Sequence, residues 1–407
     1  MAAMEKNNKN LNVPNLRFPE FSGEWESTPI STIADIIGGG TPDTSVDDYW
    51  GGNIQWFTPS EIGKEKYAYL SDRTITEAGL KNSSAKLLPQ GTVLLSTRAT
   101  IGECSIATAE CTTNQGFQSL VAKKNNVSSE FLYYIVAKIK REMLRRSCGS
   151  TFLEISANEL KKIHANIPSK AEQEKLVSLL SLIDQRIETQ KKIIEDLKKL
   201  KDAINNSMHN SIKDYQTFSF NELGNDYCGL KGKSSDDFGS GFPYISYLNV
   251  FRNDVVTDEQ FDYVKVAIGE KQNIVRDGDL IFTLSSETPS EVGIGAIYQG
   301  QTTPLYLNSF CFGVHLSNQE KIYGPYLAYF VTSQYFRRTI LPFAQGSTRY
   351  NLLKSDFMKH KFCFPNMASQ KAIYNALHAL SEKIQNEEVC LNKYTEQKQY
   401  LLTRLFI

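Results

Sequence analysis

LVSLLSLIDQRIETQKKIIEDLKKLKDAI, residues 176–204, places apolar side chains at Leu176, Leu180, Ile183, Ile187, Ile194, Leu197 and Ile204, with Gln190 and Lys201 filling the two remaining places of the series. The steps alternate four and three, which is the 3.5-residue period of a coiled-coil seam. IYNALHALSEKIQNEEVCLNKYTEQKQYL, residues 373–401, repeats the series at an offset of 197. Ile373, Leu377, Leu380, Ile384, Leu391, Tyr394 and Leu401 are its apolar or aromatic members, and Glu387 and Lys398 stand where Gln190 and Lys201 stand. Because the polar exceptions recur along with the apolar register, the chain contains an internal duplication.

Working outward, the same offset relates CGSTFLEIS (148–156) to QGSTRYNLL (345–353), and Pro168 to Pro365. Further upstream the match loosens. FLYY from Phe131 resembles YLAY from Tyr326 at an offset of 195, PQGTVLLSTRATIG from Pro89 resembles RDGDLIFTLSSETP from Arg276 at 187, and GGNIQWF from Gly51 resembles SGFPYI from Ser240 at 188. Loops absorb length changes, whereas a helical seam loses register with any insertion that is not a whole repeat. Each copy is therefore a head of variable length followed by a rigid helical tail. The runs Thr92–Thr97, Phe117–Ala122, Asp279–Ser285 and Phe310–Leu316 read as short strands bounded by turn residues. Amphipathic helices are expected at about 129–147 and 325–341, each followed by the Gly-Ser-Thr turn; Gly149 and Gly346 suit either a helix C-cap or that turn. Trp50, Trp56 and Phe57 read as core.

The expected fold class is α/β (α+β): two mixed heads separated by two long helices packed as an antiparallel coiled coil, with internal pseudo-twofold repetition. The expected boundaries are 1–168 for the first head, 169–212 for the first helix, 213–365 for the second head and 366–407 for the second helix. A one-sided apolar stripe this long requires a partner, and the other tail is the natural one.

The chain has 407 residues, 45 Lys plus Arg and 45 Asp plus Glu, so it carries no formal net charge. That argues against coating nucleic acid through bulk charge and leaves room for a local basic face. No apolar run reaches the ~18 residues of a membrane span, and the polar opening MAAMEKNNKN is unlike a secretory signal. Seven scattered cysteines without a Cys-x-x-Cys pair fit a reducing compartment. The expected location is cytoplasmic, with no membrane partner.

The head–helix–head–helix order, with NLRFPEFSGEWE (15–26) and GGGTPDTS (38–45), resembles the specificity subunit of type I restriction–modification systems over about residues 15–406. The resemblance implies that each head is a target-recognition domain for one half of a bipartite, asymmetric double-stranded DNA target, and that the helices set the gap. It further implies two methyltransferase (modification) subunits docked on the helices, translocase/nuclease (restriction) subunits completing the complex, and no catalysis or cofactor in this chain. The duplex backbone has approximate twofold symmetry, so two dyad-related heads can meet two half-sites about one turn apart, ~34–36 Å.

Base edges and phosphates are met chiefly by Arg, Lys, Asn, Gln, Ser and Thr. The candidates in the first head are Lys64, Lys66, Arg98, the basic helix end Lys140, Arg141, Arg145 and Arg146, and Ser150 and Thr151 of the turn. In the second head they are Lys231 and Lys233, Arg337 and Arg338 (aligned with Lys140 and Arg141), and Thr348, Arg349 and Tyr350.

Enzymatic motifs are incomplete. CGLKGKSS (228–235) has Tyr227 where a phosphate loop needs glycine, and the glycine pairs Gly38/Gly40 and Gly293/Gly295 lack the third glycine of a dinucleotide fingerprint. In Asp43…Glu61-Ile-Gly-Lys64 the lysine is one residue out of register for a nuclease metal site. Cys311, His315, His360 and Cys363 lie in apolar strand-like runs, where cysteine behaves as a small hydrophobe, so no metal site is expected. Any chemistry belongs to partners. The competing reading is a coiled-coil adaptor that binds protein and has no DNA specificity.

Overall fold

The structure is a computed structural model that describes residues 12–98, 100–149, 153–210, 214–259, 261–318 and 320–407. The chain forms two compact units, Met1–Lys191 with Val389–Ile407, and Lys192–Glu388.

In the first unit the head opens with a strand, Glu26–Pro29, that pairs antiparallel with the strand leaving the head, His164–Ile167, with Glu26 opposite Ile167. A one-turn helix, Ile30–Ile33, follows, and then a five-stranded sheet in the order Ala34–Gly38, Gln118–Ala122, Val93–Leu95, Cys104–Ala107 and Tyr67–Ala68. The central Val93-Leu94-Leu95 is fully buried, as expected of a strand covered on both faces. A smaller sheet orders Arg73–Ile75, Trp50–Phe57 and Cys111–Thr113. Trp56 and Phe57 are buried, while Trp50 is half-buried with the Arg73 guanidinium 3.6 Å from its ring.

The second unit repeats this plan. Tyr215–Ser219 pairs with Lys361–Pro365, Gln216 opposite Phe364. Its five-stranded sheet runs Gly224–Cys228, Cys311–Leu316, Leu280–Thr283, Gly295–Tyr298 and Val255–Val256, and its smaller sheet Asp262–Val264, Phe238–Ile245 and Tyr306–Leu307. Strand order is the same in both heads.

The expected head helices differ. Ser129–Arg146 is continuous; Ser128 caps it by accepting from the Phe131 N–H, and Phe131, Leu132, Ile135, Val136, Ile139 and Met143 form its buried stripe. In the second head the expected helix over 325–341 is broken into Gly324–Tyr326, Leu327–Phe330 and Gln334–Ile340. The break is chemical. The Thr332 hydroxyl bonds back to the carbonyls of Ala328 and Tyr329, the Ser333 hydroxyl donates to the Phe330 carbonyl, and Ser333 caps the next helix through the Phe336 N–H.

The long helices are Lys170–Asn210 and Met367–Leu405, 41 and 39 residues. Ser169 and Asn366, each directly after the aligned proline, accept from the N–H groups of Glu172 and Ser369. Gln173 and Gln370, aligned at 197, are buried and donate back to the carbonyls of Pro168 and Pro365. In the first unit Leu176 and Leu180 share a core with Leu405 and Phe406, and Asp184 pairs with Lys398 at 2.7 Å, so these helix segments run antiparallel. In the second unit Ile204 and Met208 pack with the core holding Ile373 and Leu377, and Lys198 pairs with Glu388 at 2.7 Å, again antiparallel. Of the other seam positions, Ile183, Ile194 and Ile384 are buried; Ile187, Leu197, Leu380, Leu391, Tyr394 and Leu401 are half-buried.

Candidate nucleic-acid interface

In each head the strand at the sheet centre runs out to meet a cross-strand pairing that flanks the Gly-Ser-Thr stretch of the sequence. In the first, Cys148 and Glu154 exchange both backbone hydrogen bonds at 3.0 Å, and Glu154 also bridges to Arg98. In the second, Ala344–Gln345 pairs with Tyr350–Leu352, placing Gln345 opposite Asn351, and Asn351 opposite Ser285 of the outgoing strand. Arg98, Glu154 and Cys148 therefore correspond one for one to Ser285, Asn351 and Gln345. The turn glycines lie beyond the helix C-cap, and both have positive φ, 141° at Gly149 and 145° at Gly346. A Cβ at Gly346 would stand 2.0 Å from the Arg349 carbonyl oxygen, so the turn demands glycine.

The pairings differ in charge. Arg98 Nε lies 2.9 Å from Glu154 Oε2, with both side chains partly exposed. The corresponding Ser285 is buried, and its hydroxyl has no partner among the described residues. Cation character reappears on the turn itself, where exposed Arg349 lies 5.0 Å from the half-exposed ring of Phe310. Thr348 is exposed and Tyr350 half-buried. Ser150 and Thr151 lie outside the described residues.

The other candidates divide into two groups. Lys64, Arg141, Lys231 and Arg338 are exposed, as is Arg145, which pairs with Glu142 at 2.7 Å. The second group holds its charge against partners within the protein, largely buried at Lys66, Lys233 and Arg337 and in partly exposed ion pairs at Lys140 and Arg146. Lys66 donates to Tyr134 Oη and Ser181 Oγ at 3.0 and 2.9 Å beside Asp184, and burial lowers its pKa. Arg337 donates to the carbonyls of Ser290, Val292 and Gly293, and burial pushes its pKa down to about 10. Lys140 pairs with Glu103 at 2.6 Å, Lys233 with Glu270 at 2.6 Å, and Arg146 with Glu142 and Glu159. Lys140 and Arg337, aligned at 197, both brace the loop after the central strand.

Glu154, Gln345, Asn351 and Phe310 were not among the sequence candidates. The signal for the first three was present, since the offset of 197 places Glu154 on Asn351 and Cys148 on Gln345.

Among the described residues no group of three or more His, Cys, Asp and Glu side chains could hold a metal ion. His315 pairs instead with buried Asp279 at 2.8 Å. No helix of the described residues is long and apolar enough to cross a membrane.

Comparison with known proteins agrees with the duplication. The chain matches the family described as type I restriction modification DNA specificity domain over residues 22–199 and again over 212–394. It is 41% identical over 181 residues to the type I restriction enzyme MjaIX specificity subunit of Methanocaldococcus jannaschii, covering 44% of this chain and 42% of that protein. The EcoR124I/EcoR124II specificity subunit of Escherichia coli is 26% identical over 176 residues, 42% of this chain and 43% of that one. The chain thus spans less than half the length of these curated relatives in alignment. The fold resembles the S subunit of a type I restriction–modification system from M. genitalium, with a TM-score of 0.51 and 17% identity over 97% of this chain and 99% of that one. Two copies of one domain account for most of the sequence, and the chain belongs to the type I restriction modification DNA specificity domain family.

Proposed function

We propose that this chain is the sequence-reading, non-catalytic subunit of a type I restriction–modification complex. Each head reads one half of a split, asymmetric double-stranded DNA target. The long helices set the gap and dock two methyltransferase subunits, and translocase/nuclease subunits join the complete assembly. The domain division is 1–168, 169–212, 213–365 and 366–407.

The observation that carries this reading is the pairing of a common frame with different exteriors. Two heads with the same strand order present the same cross-strand arrangement, one bearing exposed Arg98 and partly exposed Glu154, the other exposed Asn351 and Gln345. A repeated frame with unlike outward side chains suits the recognition of two unlike half-sites. Helices of 41 and 39 residues, ~60 Å at 1.5 Å per residue, suit a ruler. The exposed cations Lys64, Arg98, Arg141, Arg145, Lys231, Arg338 and Arg349, with Thr348 and Tyr350, are the proposed contacts among the described residues; Ser150 and Thr151, outside the described residues, are proposed with them.

The test is methylome sequencing of a host carrying the complete system, followed by binding of the assembled complex to duplexes with the gap lengthened by one base pair. A split motif and loss of binding on lengthening are expected. Modification without a fixed gap, or equal binding to both duplexes, overturns the ruler; no sequence dependence at all favours the adaptor reading.

A further inference from the structure

We propose that the cross-strand residues flanking the Gly-Ser-Thr stretch are the base-reading element of each head, and that they read a G·C pair in the first head and an A·T pair in the second. This rests on the DNA-reading role proposed above and adds which residues read and what they read.

The ladder register fixes the correspondence. Arg98, Glu154 and Cys148 occupy the backbone positions of Ser285, Asn351 and Gln345. Only the side chains change kind: Arg98 gives way to Ser285, Glu154 to Asn351 and Cys148 to Gln345. Unlike the core positions of the frame, Arg98, Gln345 and Asn351 are exposed and Glu154 is partly so, and their change of kind alters what each head presents to a ligand.

In the first head the ion pair uses Arg98 Nε and Glu154 Oε2, and the side chains keep 44% and 36% of their surface exposed. The two terminal guanidinium nitrogens and Glu154 Oε1 point to no other partner among the described residues. In the major groove a G·C pair presents two acceptors, guanine O6 and N7, beside one donor, cytosine N4. Arginine and glutamate held side by side offer the complement, two donors and one acceptor, already oriented, so less side-chain freedom is lost on binding. The carboxylate also decides against the competing role. A phosphate approaching Arg98 would meet Glu154 in contact with it, so the pair disfavours the backbone and favours a base edge that carries a donor.

In the second head Asn351 and Gln345 are exposed. A carboxamide carries one donor and one acceptor, the match for adenine N7 and N6. Ser285 is buried and takes no part.

The experiment uses the full chain assembled with its methyltransferase partners. Competing duplexes carry every single-pair replacement across both half-sites. Wild type should penalise each replacement. In Arg98→Lys, which keeps the charge but loses the fork, the penalty at one G·C pair of one half-site should shrink by about 10- to 100-fold, and the other half-site should be unaffected. Glu154→Gln, nearly isosteric, should relax the same pair. Asn351→Ala should relax one A·T pair of the other half-site. The assignment is overturned if the penalties are unchanged, if all fall in parallel as a phosphate contact would dictate, or if the relaxed pair has the other composition. If wild type itself discriminates nothing, the DNA-reading role falls with it.

Discussion

In the first head Ile37, Thr92 and Val121 stand where the second head has Tyr227, Asp279 and His315, on or directly before the equivalent strands of the five-stranded sheet. The first set fills space with two hydrophobes and one hydroxyl, which donates to the Pro89 carbonyl at 2.6 Å. The second set is a polar network. The Tyr227 hydroxyl donates to Asp279 Oδ2 at 2.7 Å, the Arg276 N–H donates to the same oxygen at 2.8 Å, and His315 Nδ1 lies 2.8 Å from Oδ1, with the Tyr227 and His315 rings stacked at 4.2 Å. One backbone plan therefore tolerates either solution, provided each is internally satisfied. The lesson extends to the cross-strand pairings: the frame specifies positions, and the chemistry at each position is chosen separately in each copy.

The most severe way to test that the two copies share a frame is at the seam. Leu180 and Leu377, aligned at 197, are both fully buried, each in its own unit. Leu180→Glu and Leu377→Glu should each cost about 4 kcal/mol or more, because an unpaired carboxylate is forced into an apolar core. Hydrogen exchange read on peptides from each head should show loss of protection in the unit that carries the substitution. Tolerance at one of the two positions would mean that the helices are not equivalent.

A smaller effect separates the heads at Thr92 and Asp279. Asp279→Ala strands the Tyr227 hydroxyl and the Arg276 N–H and should cost about 3 kcal/mol, whereas Thr92→Ala removes one hydroxyl and should cost about 1 kcal/mol. Chemical denaturation followed by exchange in each head measures both. Equal costs would show that the network is no more tightly bound than the hydroxyl it replaces.

The smallest difference concerns acid. In the second head Asp258 accepts from the Gln301 N–H and the Tyr298 hydroxyl, which hold its pKa at about 2 against an ordinary 3.8. Glu270, beside Lys233, Gln272 and the Ala267 N–H, is held at about 2 against 4.5. Both are depressed carboxylates, so their contribution is present above the ordinary values and is lost as pH falls from about 4.5 through about 2. Exchange in residues 256–272 and 299–303 should rise across that window, and Asp258→Asn should flatten the rise. An unchanged profile in the variant would remove Asp258 from the account.

The long helices and the glycine turn were legible in the sequence because both are one-dimensional signals: a period of 3.5, and a residue that alone accepts the backbone angle. Strand positions were close for the same reason, since Val93–Leu95 and Leu280–Thr283 lie inside the expected runs. The fate of a charge was not legible. Lys66 and Arg337 look like any surface cation in a linear reading, and only the fold brings Tyr134, Ser181 and Asp184 to one and three carbonyls to the other. The broken second helix was missed because Thr332 and Ser333 are neutral in propensity until their hydroxyls find backbone partners. Glu154 was missed because a carboxylate is not an obvious ligand for a polyanion; it becomes relevant only once it is seen in contact with Arg98.

The strand that begins each head is hydrogen-bonded to the strand that ends it: Glu26 is opposite Ile167 in one copy and Gln216 opposite Phe364 in the other. The entering strands are offset by 190 and the leaving strands by 197, so the second copy encloses seven more residues between equivalent rungs. Each head is in effect a bead closed by its own clasp on a helical thread. Whatever grows or shrinks inside a bead, the thread resumes from the same place, and for this reason a chain whose two fronts have drifted apart in length can keep its two tails in step to the residue.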